Sequence, residues 1–124
     1  MTNEEYQIWV RSMWNFQDFT TPHDFQMDWS LHDDYLAATG LAGETGEVLE
    51  VLKKAERKRK LPDKEALLLE MGDVLYYLTI LAERHGLTLE QIKDANIEKL
   101  NGRKAIRDKE QAQASYSTDF DVHS

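Results

Sequence analysis

Apolar residues recur along most of the chain at the three- and four-residue spacing of an α-helix. Over residues 3–19 they include Tyr6, Trp9, Val10 and Met13, which this spacing places on one side of a helix. The same pattern predicts three further helices, over residues 31–59, 64–85 and 88–107. No segment alternates apolar and polar residues in the manner of a strand. The pattern therefore predicts an all-α fold in which four helices form a bundle.

The segments between the predicted helices carry residues that favour turns. Pro22 lies in a linker over residues 20–30, and Pro62 lies in the turn between the second and third helices. Gly86 suits the position just after a helix, and Thr88 begins a capping box for the fourth helix. These breaks support the division into four helices.

Length and composition indicate one domain and exclude several kinds of site. The chain has 124 residues, of which 41% are hydrophobic, which is enough for a modest core. It contains no cysteine, which excludes thiol catalysis, disulfides and cysteine-ligated metals. We expect an all-α domain over residues 1–110 and a flexible polar tail over residues 111–124.

The charge balance argues against polyanionic partners. The chain carries 15 Lys and Arg against 23 Asp and Glu, a formal net charge of −8. A surface of this sign repels nucleic acid polymers and anionic membranes. The first residues show no targeting signal, and no run is apolar enough to span a membrane. A cytoplasmic protein is therefore expected.

Two pairs of carboxylates interrupt the apolar faces of the second and third predicted helices. Glu44 and Glu47 lie three residues apart between apolar neighbours, and Glu70 and Asp73 repeat this spacing. Because the intervening turn is short, the two helices are expected to be antiparallel neighbours. The four carboxylates would then converge inside the bundle. For either pair taken alone, the alternative is a solvated acidic helix face.

Four buried like charges require protons, basic partners or cations. Two divalent cations supply the balancing charge, and a ligand set made only of oxygens suits Mg²⁺ or Mn²⁺ better than zinc or iron. Gly43, Gly46 and Gly72 adjoin the acids, where a missing Cβ lets a helix, a hydrated metal or a phosphate approach. The sequence therefore predicts a site for two or more Mg²⁺ or Mn²⁺ ions, with Glu44, Glu47, Glu70 and Asp73 as ligands.

The order and spacing of these acids resemble a known family. Glu44-x-x-Glu47, followed about two dozen residues later by Glu70-x-x-Asp73, matches the E-x-x-E…E-x-x-D signature of the MazG-like nucleoside triphosphate pyrophosphohydrolases, the all-α NTP pyrophosphatases. The block Asn96-x-x-Lys99-Leu100-x-x-Arg103 also matches. The likeness covers residues 31–107, and the chain looks most like the short single-domain members, many of them encoded by viruses of bacteria.

The resemblance implies an enzyme and an assembly. It implies hydrolysis of a (d)NTP between the α- and β-phosphates to (d)NMP and pyrophosphate, with purine substrates such as (d)GTP favoured and a role in nucleotide-pool control. It also implies a homodimer or homotetramer whose active sites combine helices of more than one chain, in the host cytoplasm if the protein is viral. Many members carry a glutamate, assigned as general base, just before the first ligand. Because Gly43 stands there, we expect water bound to a metal and oriented by Glu44 or Glu47 to replace that base.

Candidate substrate-binding residues come from other segments. Asn96, Lys99 and Arg103 share one face of the fourth helix, and the family uses this block near the triphosphate. The further candidates are Tyr77 for a phosphate or ribose contact, Lys54 for a phosphate, Trp14 for stacking on a base and Asn15 for reading a base edge. Core packing is the alternative for the two aromatic residues, and complementing a helix C-terminus is the alternative for the basic ones.

Two other functions fit the same residues. One is a related pyrophosphohydrolase acting on dCTP, dUTP or phosphoribosyl-ATP, which a substrate panel would distinguish. The other is a non-catalytic helical oligomer that binds nucleotides or a protein. A melting scan with Mn²⁺ separates that class, since a ligand selective for the native state raises the midpoint.

Overall fold

Helices account for all the regular structure in the computed structural model, which describes residues 1–14 and 27–123, with side chains in residues 1–14 and 32–115. Within these residues there are four helices and no strand. They are α1 (Asn3–Met13), α2 (Met27–Lys58), α3 (Lys64–Arg84) and α4 (Leu89–His123). The all-α prediction is therefore confirmed. None of the described helices combines the length and apolar character needed to cross a membrane.

Two helix ends differ from those predicted. Helix α1 ends at Met13 instead of residue 19, because Trp14 is extended (φ −77°, ψ 120°) and its ring packs against α3. Helix α4 continues to His123, so the end predicted at residue 107 is wrong. After residue 107 the chain has no Gly or Pro, and its Ala, Gln and Glu residues favour helix. The flexibility of a tail over residues 111–124 stays a prediction.

The chain forms two compact units, Met1–Leu89 and the remainder from Glu90 onward. In the first unit α2 and α3 pack along each other and α1 packs against α3. Half-buried positions recur at three- and four-residue spacing along the two longer helices and define the α2–α3 seam. On α2 they are Leu41, Glu44, Val48, Val51 and Ala55; on α3 they are Ala66, Glu70, Val74, Tyr77 and Leu81. The second unit consists of the rest of α4.

The core of the first unit lies where α1 meets α2 and α3. Val10, Ala37 and Ile80 are fully buried there, one from each of α1, α2 and α3. Aromatic rings pack around them, and their contacts are mostly edge-to-face. The partly buried side chains in this layer are Tyr6, Trp14, Tyr76, Tyr77 and Leu81. Burial of large aromatic area stabilises the junction of the three helices.

A polar cluster fixes α1 to the far end of α3. The Gln7 side-chain amide is buried; it donates to Glu83 Oε1 (2.8 Å) and to the Leu87 carbonyl (3.1 Å). Its oxygen accepts from the Leu89 amide at 3.0 Å, which satisfies a donor at the start of α4. Arg11 donates to Glu83 Oε2 through two nitrogens, at 2.9 and 2.6 Å. Every polar atom of the Gln7 amide group thus has a fixed role.

Buried ion pairs hold the start of α2 against the end of α3. Arg84 donates to Asp34 at 2.6 Å and approaches Asp33 at 3.4 Å, while His85 Nε2 lies 2.9 Å from the second Asp34 oxygen. The Arg84 and Asp33 side chains are only 7% and 4% exposed. Because removing one partner would leave the other charge buried, these pairs fix the register of the two helices.

Gly40 is required by the packing of Tyr77. A Cβ built at Gly40 would meet the Tyr77 ring, with Cδ1 and Cζ each 2.6 Å away. That ring is held in turn by Trp14 and Tyr76, whose centroids lie 6.1 and 5.4 Å from it. We therefore expect Gly40→Ala to lower the free energy of unfolding by about 1–2 kcal/mol, because overpacking outweighs the gain in helix propensity. Urea denaturation measures this difference.

Gly102→Ala is the matched control for this substitution. Gly102 also lies inside a helix, but a Cβ there meets nothing within 4 Å. Only the propensity gain applies, so we expect this variant to be more stable by up to about 1 kcal/mol. An equal gain in both variants would contradict the packing described for Tyr77.

Candidate metal centre

Three carboxylates come together at the middle of the α2–α3 hairpin. Glu44 and Glu70 occupy positions in the α2–α3 seam and are half-buried, whereas Asp73 lies exposed at its edge. One oxygen from each lies within 4.8 Å of the others. We call Glu44, Glu70 and Asp73 the acidic cluster. Two of its members therefore stand where apolar residues would otherwise pack, as the interrupted apolar pattern indicated.

The electrostatics of the acidic cluster act most strongly on Glu44. Burial, then the charges of Asp73 and Glu70, a hydrogen bond with Glu70 and the charge of Glu47 raise the pKa of Glu44 above its ordinary 4.5. Each of these effects opposes a full set of ionised carboxylates. In the described part of the chain, none of the ion pairs involves a member of the cluster. A proton or a cation bound at the acidic cluster would lower this repulsion.

The donor set fits a hard divalent cation. Three carboxylate oxygens converge without a nitrogen or sulfur ligand among them, and Mg²⁺ and Mn²⁺ prefer oxygen ligands. Gly43, Gly46 and Gly72 have open space beside them, with no atom of the described chain within 4 Å of an added Cβ. The packing of the described residues therefore does not require glycine at these three positions.

Glu47 is the predicted ligand that the structure leaves outside the acidic cluster. Its side chain is exposed, one turn along α2 from Glu44. It still lies close enough to contribute to the raised pKa of Glu44. The structure thus brings together three of the four predicted ligands, and the role of Glu47 stays a prediction.

Two of the predicted base-contacting and ribose-contacting residues, Trp14 and Tyr77, pack against the core of the first unit. Tyr77 and Trp14 are half-buried and contact each other edge to face at 6.1 Å. Tyr77 also covers Gly40, so its ring has a packing role on α3. Asn15 lies outside the described residues. The substrate roles of these residues stay predictions.

The predicted phosphate-contacting residues lie on two different helices. Lys54 is exposed on α2 and lines a pocket near the α2–α3 turn. Asn96, Lys99 and Arg103 are exposed on α4, in the second unit, at spacings of three and four residues. They share one helix face as the sequence indicated. Their contact with a nucleotide also stays a prediction.

Tyr6 is a neighbour of the acidic cluster that the sequence pattern did not single out. Burial, the neighbouring Tyr76 and the charge of Asp73 raise the pKa of Tyr6 above its ordinary 10.0. Its hydroxyl is therefore a neutral hydrogen-bond donor at physiological pH. The only sequence signal was its place on the apolar face of α1, which indicates core packing equally well.

Comparison with known proteins assigns this arrangement to a family. The family model for the MazG nucleotide pyrophosphohydrolase domain matches residues 34–107, which include the whole acidic cluster and the Asn96, Lys99 and Arg103 block. The chain belongs to the MazG family. This confirms the resemblance based on the acidic spacing, and it identifies the chain as a nucleotide pyrophosphohydrolase domain in general terms.

The chain is also similar to a protein of Bacillus subtilis (strain 168) described as "Uncharacterized protein YvdC". It is 32% identical over 84 residues, which cover 60% of this chain and 79% of the relative. No solved structure matches this chain. The family assignment therefore rests on the domain match, and it supports the acidic cluster as the site to test.

The raised pKa of Glu44 leads to a prediction about the metal-free MazG domain. Its folded-state value lies above the ordinary 4.5, so the folded chain binds this proton more tightly than the unfolded chain. The contribution of Glu44 to stability therefore falls as pH rises from about 4.5 through the raised value. At neutral pH without metal, we expect Glu44→Gln to be more stable than the parent chain, with the difference shrinking towards pH 4.5. Urea denaturation at several pH values measures this.

With Mg²⁺ or Mn²⁺ present at neutral pH, we expect the parent chain to be more stable than Glu44→Gln. A cation that binds the folded parent chain raises its melting midpoint, whereas Glu44→Gln lacks one ligand. Equal stabilisation of both chains by metal would count against Glu44 as a ligand.

Proposed function

We propose that this protein is a metal-dependent nucleoside triphosphate pyrophosphohydrolase that converts a (d)NTP to (d)NMP and pyrophosphate. The observation that carries the proposal is the acidic cluster, which lies within a MazG nucleotide pyrophosphohydrolase domain. The resemblance to short members of the family favours purine substrates such as (d)GTP and a role in nucleotide-pool control in the cytoplasm.

The chemistry requires charge compensation before anything else. An acidic site repels a triphosphate, and Mg²⁺ or Mn²⁺ ions held by Glu44, Glu70 and Asp73 would compensate that charge, polarise the α-phosphorus and acidify water. The water oxygen forms a bond to the α-phosphorus, and the bond from that phosphorus to the bridging oxygen breaks. Glu44 and Glu47 orient the water, a role needed because Gly43 supplies no base. Pyrophosphate leaves with the bridging oxygen, and the proton lost by the attacking water passes to solvent.

Substrate contacts are assigned by residue type. We assign Asn96, Lys99 and Arg103 to the phosphate groups, since an amide and two cations suit phosphate oxygens. The remaining assignments are Tyr77 to a phosphate or the ribose, Trp14 to stacking on the base and Asn15 to the base edge. Lys54 lines a pocket near the α2–α3 turn, so no substrate phosphate is assigned to it. Glu47 also serves as a further ligand when two or more cations are held.

A homodimer or homotetramer with shared sites completes the proposal. Many large apolar side chains remain exposed on α2 and α3, more than a monomer needs to leave in water. They include Leu49, Leu52, Leu68, Leu69, Met71 and Leu75. A second copy of the chain would cover such surfaces, and light scattering at several concentrations measures the assembly.

A substrate panel tests the proposed function. The purified protein is incubated with each (d)NTP, with phosphoribosyl-ATP and with Mg²⁺ or Mn²⁺, and products are separated by ion-exchange chromatography. We expect a monophosphate and pyrophosphate from at least one (d)NTP, with (d)GTP among the preferred substrates. The Asp73→Asn variant, with one cluster ligand removed, serves as the negative control.

The panel also identifies the alternatives. Activity confined to dCTP, dUTP or phosphoribosyl-ATP would keep the reaction and change the substrate. Absence of product from every nucleotide, with a protein whose helices are intact by circular dichroism, would refute the enzymatic proposal and favour a binding oligomer.

A further inference from the structure

A second polar site opens near the turn that joins α2 to α3. It is a pocket of about 300 Å³ within the first unit. Its lining residues are Val51, Lys54, Ala55, Lys58, Lys60, Leu61, Asp63 and Ala66. We call it the basic pocket, because three of these residues are lysines in a protein whose net charge is −8.

The backbone at the end of α2 brings the third lysine into the basic pocket. Lys54 and Lys58 lie four residues apart and therefore share a face of α2. Arg59 then adopts a left-handed conformation with φ 50°, which is uncommon for a residue other than glycine. The Lys60 amide donates back to the Ala55 carbonyl at 3.1 Å, so the chain folds over the helix end. This turn places Lys60 beside the two lysines of α2.

The lining of the basic pocket balances only part of its own positive charge. Asp63 is the only acid in the lining, and its Oδ1 accepts from the amides of Glu65 (3.1 Å) and Ala66 (3.2 Å). It therefore serves as the N-cap of α3. Among the described residues, no ion pair involves Lys54, Lys58 or Lys60.

Lysines near the C-terminus of α2 interact favourably with the helix dipole, which explains part of this charge. It does not explain why the three lysines surround a pocket. Lysines placed only for the helix dipole need no cavity between them. Lys53, on the same turn, shows the ordinary arrangement, since it pairs with Glu50 at 3.4 Å and does not line the pocket. Three flexible ammonium groups around a concavity instead match the oxygens of a phosphate-bearing anion.

We propose that the basic pocket binds a small phosphate-bearing anion at a place separate from the acidic cluster. Lys54 and Lys58 lie roughly 15 and 21 Å along α2 from Glu44 at the rise of an α-helix. A single phosphate or pyrophosphate group therefore does not contact both places. The anion is either free pyrophosphate or the polyphosphate of a second nucleotide. Binding needs neither the metal nor hydrolysis, so the proposal stands apart from the proposed function.

Isothermal titration of the full chain with pyrophosphate, in buffer freed of divalent cations by a chelating resin, tests the proposal. The double variant Lys58→Gln/Lys60→Gln removes two lining charges and leaves Lys54 in place. Since a hydrogen bond to a charged group contributes about one order of magnitude in affinity, we expect binding at least about tenfold weaker. The affinity of the parent chain should also fall as salt is raised.

Lys53→Gln/Arg57→Gln is the matched control, with the same charge change on the same part of the chain and outside the lining. We expect its affinity to stay within about twofold of the parent chain. Equal weakening in both double variants would mean that only the general charge of this region attracts anions. That result, or no binding of pyrophosphate to the parent chain, would overturn the proposal.

Two further experiments identify the bound anion and distinguish this proposal from the proposed enzymatic function. If a non-hydrolysable nucleoside triphosphate analogue displaces pyrophosphate and a monophosphate does not, the occupant is the polyphosphate of a nucleotide. If only pyrophosphate binds, the occupant is the free anion. Either supports the pocket. Glu70→Gln should keep pyrophosphate binding while losing hydrolysis, and loss of both would instead place the anion at the acidic cluster and refute a separate site.

Discussion

Replacement of Glu70 by Gln is expected to lower kcat/KM for nucleotide hydrolysis by at least about a hundredfold. Glu70 occupies the α2–α3 seam, where its carboxylate lies with those of Glu44 and Asp73. Gln has nearly the same shape but is a weaker, neutral ligand, so the substitution removes charge without leaving a cavity. Losing a group that merely orients a metal ligand costs about 10–100-fold, and losing the ligand itself should cost at least as much. Steady-state kinetics at saturating Mg²⁺ measures the change.

Glu50→Gln is the control for this substitution. Glu50 lies on α2 and is exposed; its only described ion pair is a 3.4 Å contact with Lys53, and it is outside the acidic cluster. We expect its kcat/KM to change less than about twofold, since exposed pairs contribute little. Equal activity of Glu70→Gln and the parent chain would remove the acidic cluster from the mechanism.

Replacement of Gln7 by Ala is expected to lower the free energy of unfolding by about 2–4 kcal/mol. The substitution deletes three hydrogen bonds and leaves the Leu89 amide, at the start of α4, without its acceptor. An unsatisfied buried donor costs about 1–3 kcal/mol, and the lost side-chain volume adds to that cost. Arg11 still holds Glu83, which keeps that carboxylate partnered and limits the loss. Urea denaturation with circular dichroism detection measures the difference.

Gln113→Ala provides the same chemical change at an exposed site on α4. Because no buried bond is lost there, we expect a stability within about 0.5 kcal/mol of the parent chain. If Gln7→Ala were as mild as Gln113→Ala, the hydrogen bonds of Gln7 would not be what holds α1 against the end of α3.

The helical fold and the acidic motif were accessible from sequence because both depend on local spacing. Two carboxylates on each of two adjacent helices are expected to meet when a short turn joins them. The sequence did not indicate that the Glu47 side chain is exposed. Residues three apart differ by about 60° around a helix, so the rotation of α2 decides which one enters the seam. Glu44 does so, and the next seam position is taken by Val48.

The remaining features depend on contacts between residues distant in sequence. The fit of Tyr77 over Gly40 joins two helices, and no pattern within either helix indicates it. The bonds from Gln7 to Glu83 and Leu89 span most of the first unit. The left-handed conformation of Arg59 could not be predicted, because such a conformation is usually indicated by a glycine. The basic pocket, which depends on this turn, could not be predicted either.

The measurement that tests the central claim most directly is ³¹P NMR of dGTP incubated with the protein and Mg²⁺. Cleavage between the α- and β-phosphates predicts that the triphosphate resonances decline while dGMP and pyrophosphate appear together in equal amounts. No such conversion is expected when Mg²⁺ is withheld or when Glu70→Gln replaces the parent chain. Release of inorganic phosphate with dGDP, or conversion that is unchanged without Mg²⁺, would contradict a metal-dependent pyrophosphohydrolase built on Glu44, Glu70 and Asp73.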